Sequence, residues 1–486
     1  LQRMELLKTG YMGTLSLGWD NYLFLELTGR QERSSTLKDQ SFFYPSANLS
    51  FLFTQAFHMP SWWNYGKLRL SYGIVGNAPE TYTANIVYEQ GSDNGFTWNT
   101  IPSSWGNADI RPEKKYEYEI GLESKFLNNR LGIDVSYYNN RVKDQILSTP
   151  QPSTSGVKNV LMNVGEVANH GWDISISATP ILTRDFRWDL TANYGVYKNK
   201  VVKLADGVPY LEILNSGGSG IKIQAVEGQP MGDIYAQVPQ VNENGEYLVS
   251  DKGLYLNQTE LQKVGNINPA GVGGLFNSFS YKNVFLDFSI DFRIGGDVIN
   301  EMNQYATAVG LTPESLKYRD TEHGGLSYYY PGDNNSSGIP VQVDPSTGAG
   351  PNGEIIYHDG IILPGVVAST GERNTRIIPA GYYYNTTYNW GTEAEQLTYR
   401  HSVFDNSYVK LRELTIGYQF PEKMISKLGL GRLSVSVFGR NLFYFYKALK
   451  NYDAESSVGT SWANQATVGS STTATRSFGV SLRASF

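Results

Sequence analysis

Few residues in this sequence have types and spacings that could carry out covalent chemistry. The chain has no Cys, which excludes thiolate nucleophiles, disulfides and thiolate metal sites. It contains no GxSxG nucleophile elbow, no GxxxxGK(S/T) phosphate loop and no GxGxxG after a predicted strand. The histidines are too scattered for a His-x3-His metal pair: His58, His170, His323, His358 and His401. We therefore predict no catalytic residue, no metal and no cofactor, and we do not expect an enzyme.

Acidic side chains recur on or near the predicted strands and allow two interpretations. One is a water-filled interior lined with charged groups. The other is a pair of carboxylates that hydrolyses a glycosidic bond, which requires a defined separation between the two groups. The first interpretation is favoured, because the sequence gives no depth or distance for these acids. They are Glu26, Glu117, Glu119, Glu123, Asp134, Asp173, Asp189, Asp287 and Asp291.

Aromatic clusters in the predicted connections are the better candidates for ligand contact. Rings stack on the apolar faces of sugars, and tyrosine hydroxyls bond to sugar or peptide groups. Packing within a loop, or docking to a partner protein, is the competing explanation. The candidates are Tyr328, Tyr329, Tyr330, Tyr382, Tyr383, Tyr384 and Trp390. Trp62 and Trp63 fall in a short turn, where an aromatic girdle at a membrane surface is the expected role.

The elements that would position these residues follow from composition and periodicity. The 486 residues carry a net charge of −6, 13% aromatic residues and 50 Gly, with a mean hydropathy of −0.34. The longest nearly apolar run, Gly360–Val367, is much too short for a membrane-spanning helix. The net charge is mildly acidic and the basic residues are scattered, which argues against a nucleic-acid-binding protein. This composition is typical of extended β structure.

Alternation of apolar and polar residues predicts about thirteen strands. From Val284 to Ile294, six apolar residues alternate with mostly polar or charged ones, which separates an apolar face from a wet one. In the segment from Val409 the alternation slips, which predicts a bulge at Arg412 and Glu413. The predicted strands are Tyr11–Trp19, Tyr22–Arg30, Leu49–Phe53, Leu68–Tyr72, Tyr116–Ser124, Leu131–Tyr138, Trp172–Ala178, Phe186–Tyr194, Leu275–Tyr281, Val284–Ile294, Val409–Phe420, Leu433–Phe438 and Phe478–Phe486.

The connections between these strands alternate between short and long. Short turns on one side and long loops on the other are typical of outer-membrane barrels. The long predicted connections are Asn77–Lys114, Val142–Gly165, Asn199–Gly274, Gly295–Phe404 and Lys447–Ala474. The sequence therefore predicts an all-β protein, a transmembrane antiparallel β-barrel with long extracellular loops.

The last predicted strand resembles a barrel-termination signal. Phe478, Val480, Leu482 and Phe486 lie in one apolar row that ends in an aromatic residue. If this strand runs towards the periplasm, the first strand does too, and thirteen is an odd number where bacterial barrels have even ones. An open sheet would also leave bare edges in lipid. We therefore expect further strands before Leu1, with residues 1–486 as the C-terminal portion of a larger barrel.

Six segments, in order along the chain, resemble the SusC/RagA family of TonB-dependent transporters from Bacteroidota. They are Leu68–Asn77, Arg111–Leu122, Asn163–Asp173, Glu227–Tyr235, Tyr408–Tyr418 and Phe438–Phe443. Asp173 stands where the family usually has Glu. The resemblance implies a barrel of about 22 strands, of which this chain holds the last thirteen. The plug, the TonB-interacting box and the earlier strands would lie upstream.

The resemblance also implies active import of a nutrient, an oligosaccharide or sometimes a peptide, powered through the TonB complex. A SusD-like surface lipoprotein would cap the barrel, and the long loops would be its docking surface. Two alternatives remain open: a siderophore or vitamin receptor that works without a lid, and a SusC-like barrel that serves as a scaffold in an envelope assembly.

Overall fold

The computed structural model describes residues 5–37, 41–81, 85, 88–100, 104–150, 154, 157, 159–216, 220–332, 338–389, 398–457, 459, 461–469 and 474–485. Within these residues, thirteen long strands form one continuous antiparallel path, here called the wall. They are β1 Lys8–Trp19, β2 Leu23–Ser34, β3 Ser41–Phe51, β4 Trp63–Asn77, β5 Glu113–Phe126, β6 Leu131–Pro150, β7 Asn159–Leu182, β8 Phe186–Lys203, β9 Gly271–Tyr281, β10 Val284–Ile294, β11 Tyr408–Gln419, β12 Arg432–Lys447 and β13 Ser477–Ser485.

Each wall strand pairs with the next along the chain, and β1 and β13 each pair with one wall strand. All thirteen predicted strands are confirmed. Strands β6 and β7 are longer than predicted, because most of the expected connection Val142–Gly165 is strand. Asp144 has a φ of 55°, and the register between the two strands shifts at Gly165. These bulges interrupt the alternation on which the sequence-based prediction depends.

The register places apolar and polar side chains on opposite faces of the wall. On one face Leu286 lies opposite Ile416; on the other, Asp291 lies opposite Lys410. Ser289 pairs with Glu413 and the next pair skips Arg412, so the predicted bulge is confirmed. Following these pairs around the sheet gives an outer apolar face and an inner polar face.

Short turns join the strands at one end of the wall. Asp20 and Asn21 both have positive φ between β1 and β2, the geometry of a tight hairpin turn. Two of the turns contain one helical turn each, α1 Phe53–Ala56 and α4 Glu422–Ile425, the latter followed by a 3-10 turn at Ser426–Leu428. Trp62 and Trp63 lie at this end, with rings stacked 6.0 Å apart, and Phe126 packs against both.

The long connections at the other end fold into structures of their own. The loop between β10 and β11 holds α2 Glu301–Ala308, α3 Ala380–Tyr388 and 3-10 turns at Pro313–Leu316 and Tyr399–Ser402. The connection after β12 holds a 3-10 turn at Asn464–Ala466. The short strands of these loops are Glu89–Asp93, Phe96–Thr100, Ser104–Trp105, Tyr210–Ser216, Ile221–Val226, Asp233–Ala236, Leu248–Val249, Gln262–Asn266, Asp297–Ile299, Leu326–Tyr329, Val341–Gln342, Tyr357–Ile361, Val366–Val367, Ile378–Pro379 and Val403–Asp405.

The largest cluster of buried apolar side chains lies in these loops rather than in the wall. Ile221, Ile223, Ile234 and Ile299 are fully buried against one another. The outer face of the wall is bare by contrast: Phe478, Val480 and Leu482 on β13 are each at least 70% exposed. Phe486 lies outside the described residues. The role of this row as a termination signal stays a prediction.

No helix in the described part of the chain is both long enough and apolar enough to span a membrane.

Aromatic rings on the inner face lie over glycines of the next strand, and two such pairs are in the last four wall strands. Phe285 of β10 is paired with Gly417 of β11, and Phe438 of β12 with Gly479 of β13. A Cβ atom at either glycine would overlap the ring above it. Close packing at these points therefore requires glycine.

Candidate ligand-binding site

Three acidic side chains of the inner wall are each paired with a base or a hydroxyl. Arg69 binds Asp134 through two nitrogens, and Arg187 binds Asp189 in the same way. The Ser278 hydroxyl donates to Asp287 at 2.6 Å. These pairs favour the hydrated-interior interpretation over two cooperating carboxylates.

A second ionic group, the Glu455 cluster (Asp291, Lys410, Arg412 and Glu455), joins the last long loop to the wall. Arg412 donates to both oxygens of Glu455, at 2.8 and 2.6 Å, and to Asp291 at 2.6 Å. The ammonium group of Lys410, which is 2% exposed, lies 2.5 Å from Glu455. Burial alone would raise the pKa of Glu455, but these two cations lower it to about 2. The segment after β12 is thus held against β11 by the ion pairs of Glu455 with Lys410 and Arg412.

The first tyrosine triplet forms part of the loop core. Tyr328 and Tyr330 are 1% and 5% exposed, and their rings meet edge to face at 5.5 Å. The Tyr328 hydroxyl donates to Asp359 at 3.1 Å, and Tyr357 stacks on the same ring. Tyr329 is half-buried. In this arrangement Tyr328 and Tyr330 offer almost no surface to a ligand.

The second triplet opens onto a cavity of about 520 Å³, here called the tyrosine pocket, lined by Tyr255, Glu314, Tyr318, Tyr383, Tyr384 and Tyr388 among others. Helix α3 follows directly after the short strand Ile378–Pro379, which pairs with Tyr357–Ile361 and so fixes where the helix begins. Tyr384 and Tyr388 are one helical turn apart, so their rings share a face of α3. Tyr382, 37% exposed, is not among the pocket residues.

Hydrogen bonds hold the pocket tyrosines in place. The Tyr384 hydroxyl donates to the carbonyl oxygens of Glu314 at 2.8 Å and Lys317 at 3.3 Å. The Tyr383 hydroxyl donates to Tyr388. The Tyr388 ring in turn stacks on the imidazole of His401, with centroids 4.4 Å apart.

Besides its tyrosine hydroxyls, the pocket presents one carboxylate, Glu314, and one ammonium group, Lys317. Burial raises the pKa of Tyr384 to about 12 and also raises the pKa values of Tyr383 and Tyr388. Burial and the charge of Arg400 lower the pKa of His401 to about 4. Burial opposes ionisation of Glu314, but hydrogen bonds from its own N–H and from Asn451 leave its pKa below the ordinary value. Such a lining can stack on and hydrogen-bond an uncharged polar ligand.

Sequence reasoning found part of this site. It identified Tyr383 and Tyr384 and missed Tyr255, Tyr318 and Tyr388, each of which stands outside a tyrosine run. The four-residue spacing from Tyr384 to Tyr388 was the one available signal, and it has meaning only if the segment is known to be helical. Trp390 lies outside the described residues. Within those residues, no group of three or more His, Asp or Glu side chains could hold a metal ion.

Comparison with known proteins identifies the wall. The family model described as "TonB dependent receptor-like, beta-barrel" matches residues 8–239, which cover β1 to β8 and the start of the next loop. In residues 8–239 the chain therefore resembles the barrel of the TonB-dependent receptors. These are outer-membrane proteins, so the thirteen strands are transmembrane strands, and their long connections lie on the extracellular side.

The chain is similar to curated TonB-dependent receptors, one of which is SusC. SusC of Bacteroides thetaiotaomicron is 30% identical over 247 residues, covering 47% of this chain and 24% of that protein. TonB-dependent receptor P3 of Formosa agariphila is 24% identical over 417 residues, covering 78% of this chain and 35% of that protein. The chain thus spans about a third or less of the length of these relatives.

The fold resembles that of a solved transporter. The structure of the RagAB peptide transporter superposes with a TM-score of 0.62 at 19% identity, covering 90% of this chain and 44% of that one. The RagAB importer in its closed-closed state gives a TM-score of 0.63 at the same coverage. The expected resemblance is confirmed: the sequence resembles SusC, and the fold resembles that of RagAB.

Proposed function

We propose that this chain is the C-terminal portion of an outer-membrane importer that takes up an oligosaccharide. The observation that carries the proposal is its similarity to SusC over 247 residues. In this proposal the chain performs no bond chemistry of its own. Energy reaches it through the TonB complex, acting on a plug and TonB box in the rest of the protein.

The unpaired strand edges support the view that residues 1–486 form only part of the barrel. Strands β1 and β13 run in the same direction, because an even number of antiparallel steps separates them. They therefore cannot pair with each other in an antiparallel ladder, and unpaired backbone groups in lipid cost several kcal/mol each. Upstream strands of the whole receptor would close the barrel to about 22 strands.

The chemistry of the tyrosine pocket favours an uncharged polyhydroxyl ligand. The tyrosine rings provide apolar surface for stacking, and the tyrosine hydroxyls, Glu314 and Lys317 provide hydrogen-bonding groups. Peptide import is the second candidate, since the fold neighbour RagAB is a peptide transporter. A peptide would use the same groups through its amides.

An apolar surface on the long loops supports a SusD-like lipoprotein as the partner. Helix α2 buries polar side chains, Asn303 and Gln304 among them, and exposes Met302 on its other face. Leu311 and Leu316, just beyond the helix, are 78% and 51% exposed. A helix with its apolar side outward is expected where another protein covers it.

Growth and purification test the proposal together. A strain that lacks the receptor should fail to grow on one class of oligosaccharide while it still grows on the corresponding monosaccharide. Tagged receptor should co-purify with a surface lipoprotein in near-equal amounts. Normal growth on every glycan and peptide, with the receptor found in a multi-protein assembly, would support the scaffold alternative. Dependence on iron or vitamin supply would support the siderophore or vitamin alternative.

The pocket itself is tested by one substitution. Tyr383→Ala in the intact receptor should weaken oligosaccharide binding up to about ten-fold, the worth of one stacked ring. Tyr210→Ala is the matched control, because Tyr210 is exposed on a long loop and is not among the pocket residues. If the two variants bind the oligosaccharide with equal affinity, the tyrosine pocket is not part of the binding site.

A further inference from the structure

The extracellular end of the outer wall face carries a group of basic side chains on four adjacent strands, here called the outer basic patch. All of its members are exposed. They are Lys114 on β5, Arg141 and Lys143 on β6, His170 on β7, and Lys198 and Lys200 on β8.

The strand register brings these residues together on the lipid-facing side. Lys114 is directly opposite Lys143, and His170 is directly opposite Lys198. Arg141 and Lys200 flank Ala168 on either side. Since side chains alternate between faces, the patch shares its face with the aromatic and aliphatic residues below it on the same strands, such as Ile120 and Trp172.

The charge of this patch is mostly uncompensated by the protein. Arg141 pairs with Glu166 at 3.1 Å, and the Lys143 ammonium lies 5.8 Å from the Tyr116 ring centroid. Lys114, Lys198 and Lys200 form no ion pair with any residue that the structure describes. Like charges directly opposite each other destabilise a sheet, so an external anion would relieve this repulsion.

The depth of the patch matches the lipid head groups. Phe126 belongs to the aromatic group at the short-turn end, and Lys114 stands twelve residues before it on β5. Twelve residues of strand span about 40 Å, or about 30 Å along the membrane normal for a strand tilted by about 40°. The hydrocarbon core is about 30 Å thick, so Lys114 lies just beyond it on the extracellular side.

We propose that the outer basic patch binds the phosphate groups of the phosphorylated glycolipid that forms the outer leaflet. A water-soluble protein does not fit this position, because the same face continues downward into a membrane-facing row where Tyr137 packs on Trp172 at 4.9 Å. A lipid fits both the basic patch and the apolar row below it, because its acyl chains would lie on the apolar row and its phosphates beside the lysines. This inference rests on the outer-membrane location and is independent of what the receptor imports.

Lipid binding to the intact receptor tests the proposal. The probes are nanodiscs containing bis-phosphorylated lipid A and matched nanodiscs containing the same lipid after enzymatic removal of both phosphates. Retained lipid is quantified by native mass spectrometry. Near a membrane surface each lysine contributes about five-fold to the binding of anionic lipid, so the triple variant Lys114→Ala, Lys198→Ala, Lys200→Ala should bind the phosphorylated lipid on the order of 100-fold more weakly.

The matched control removes the same charge from the other end of the wall. Lys282, Lys423 and Lys427 are exposed at the short-turn end, and their triple alanine variant should retain wild-type binding. Replacing the three patch lysines with arginine should also retain it, which separates a charge effect from a folding defect. Equal binding by the patch and control alanine variants would overturn the proposal, as would equal retention of the phosphorylated and dephosphorylated lipids by the wild-type receptor.

Discussion

Replacing Glu455 with Gln should release the last long loop from the wall. The carboxylate is held between Arg412 and the buried ammonium of Lys410. Its pKa falls from the ordinary 4.5 to about 2, and a difference of this size corresponds to about 3 kcal/mol. Glu455 keeps 29% of its side-chain surface exposed, so water offsets part of this value. We expect the substitution to cost about 2–3 kcal/mol of local stability.

Hydrogen exchange in the full-length receptor measures this effect. Peptides covering residues 448–457 should exchange roughly 30- to 150-fold faster in Glu455→Gln, while peptides from β3 and β4 should be unchanged. Asp206→Asn is the matched control, because Asp206 pairs with Lys203 but is 94% exposed, and its loss should have no effect. Exchange in Glu455→Gln that equals wild type would refute the claim that this ion pair holds the loop.

Three further outcomes are expected. The pKa of Glu455 is lower in the folded protein than in the unfolded chain, so its stabilising effect is present above pH 4.5 and is lost as the pH falls towards 2. Hydrogen exchange of residues 448–457 should therefore become faster over this pH range. A rate of opening that does not change with pH would contradict this. Tyr384→Phe removes the hydroxyl that donates a hydrogen bond to the Glu314 carbonyl oxygen, and it should lower the stability of the loop by about 1 kcal/mol. Proteolysis should then be faster in the loop but not in the wall. Trp188→Phe leaves the buried Asn277 oxygen without its indole donor at 3.1 Å and should cost about 1–2 kcal/mol, measured as a lower Tm of the purified receptor; an unchanged Tm would contradict this.

The wall could be predicted from the sequence because its signal is local and regular. From Val284 to Ile294 each residue reports its own face, and even the slip at Arg412 is visible as a break in that pattern. The far ends of β6 and β7 could not be predicted. Beyond the membrane neither face of these strands is uniformly apolar. The bulges at Asp144 and Gly165 also shift which residues point to which face, so the alternation of apolar and polar residues is interrupted there.

The tyrosine pocket was only half predictable for a different reason. Runs of tyrosine stand out in any sequence, but a run does not distinguish a core residue from a pocket residue. Tyr328 is buried because it lies in the middle of a four-stranded sheet, and Tyr383 lines a cavity because α3 starts at the edge of that sheet. Both facts depend on pairings between segments roughly 20 to 35 residues apart, which periodicity does not show.

The rings of Phe285 and Phe438, which lie over glycines, help to fix the register of neighbouring strands, which the alternation of apolar and polar residues does not fully determine. A slip of two residues between neighbouring strands keeps every side chain on its proper face, so apolar burial cannot reject it. Such a slip would place Thr415 or Gln419 beneath Phe285 instead of Gly417, and the ring would collide with a side chain. These aromatic–glycine contacts therefore reject an alignment that is two residues out of register, which the alternation of apolar and polar residues would accept.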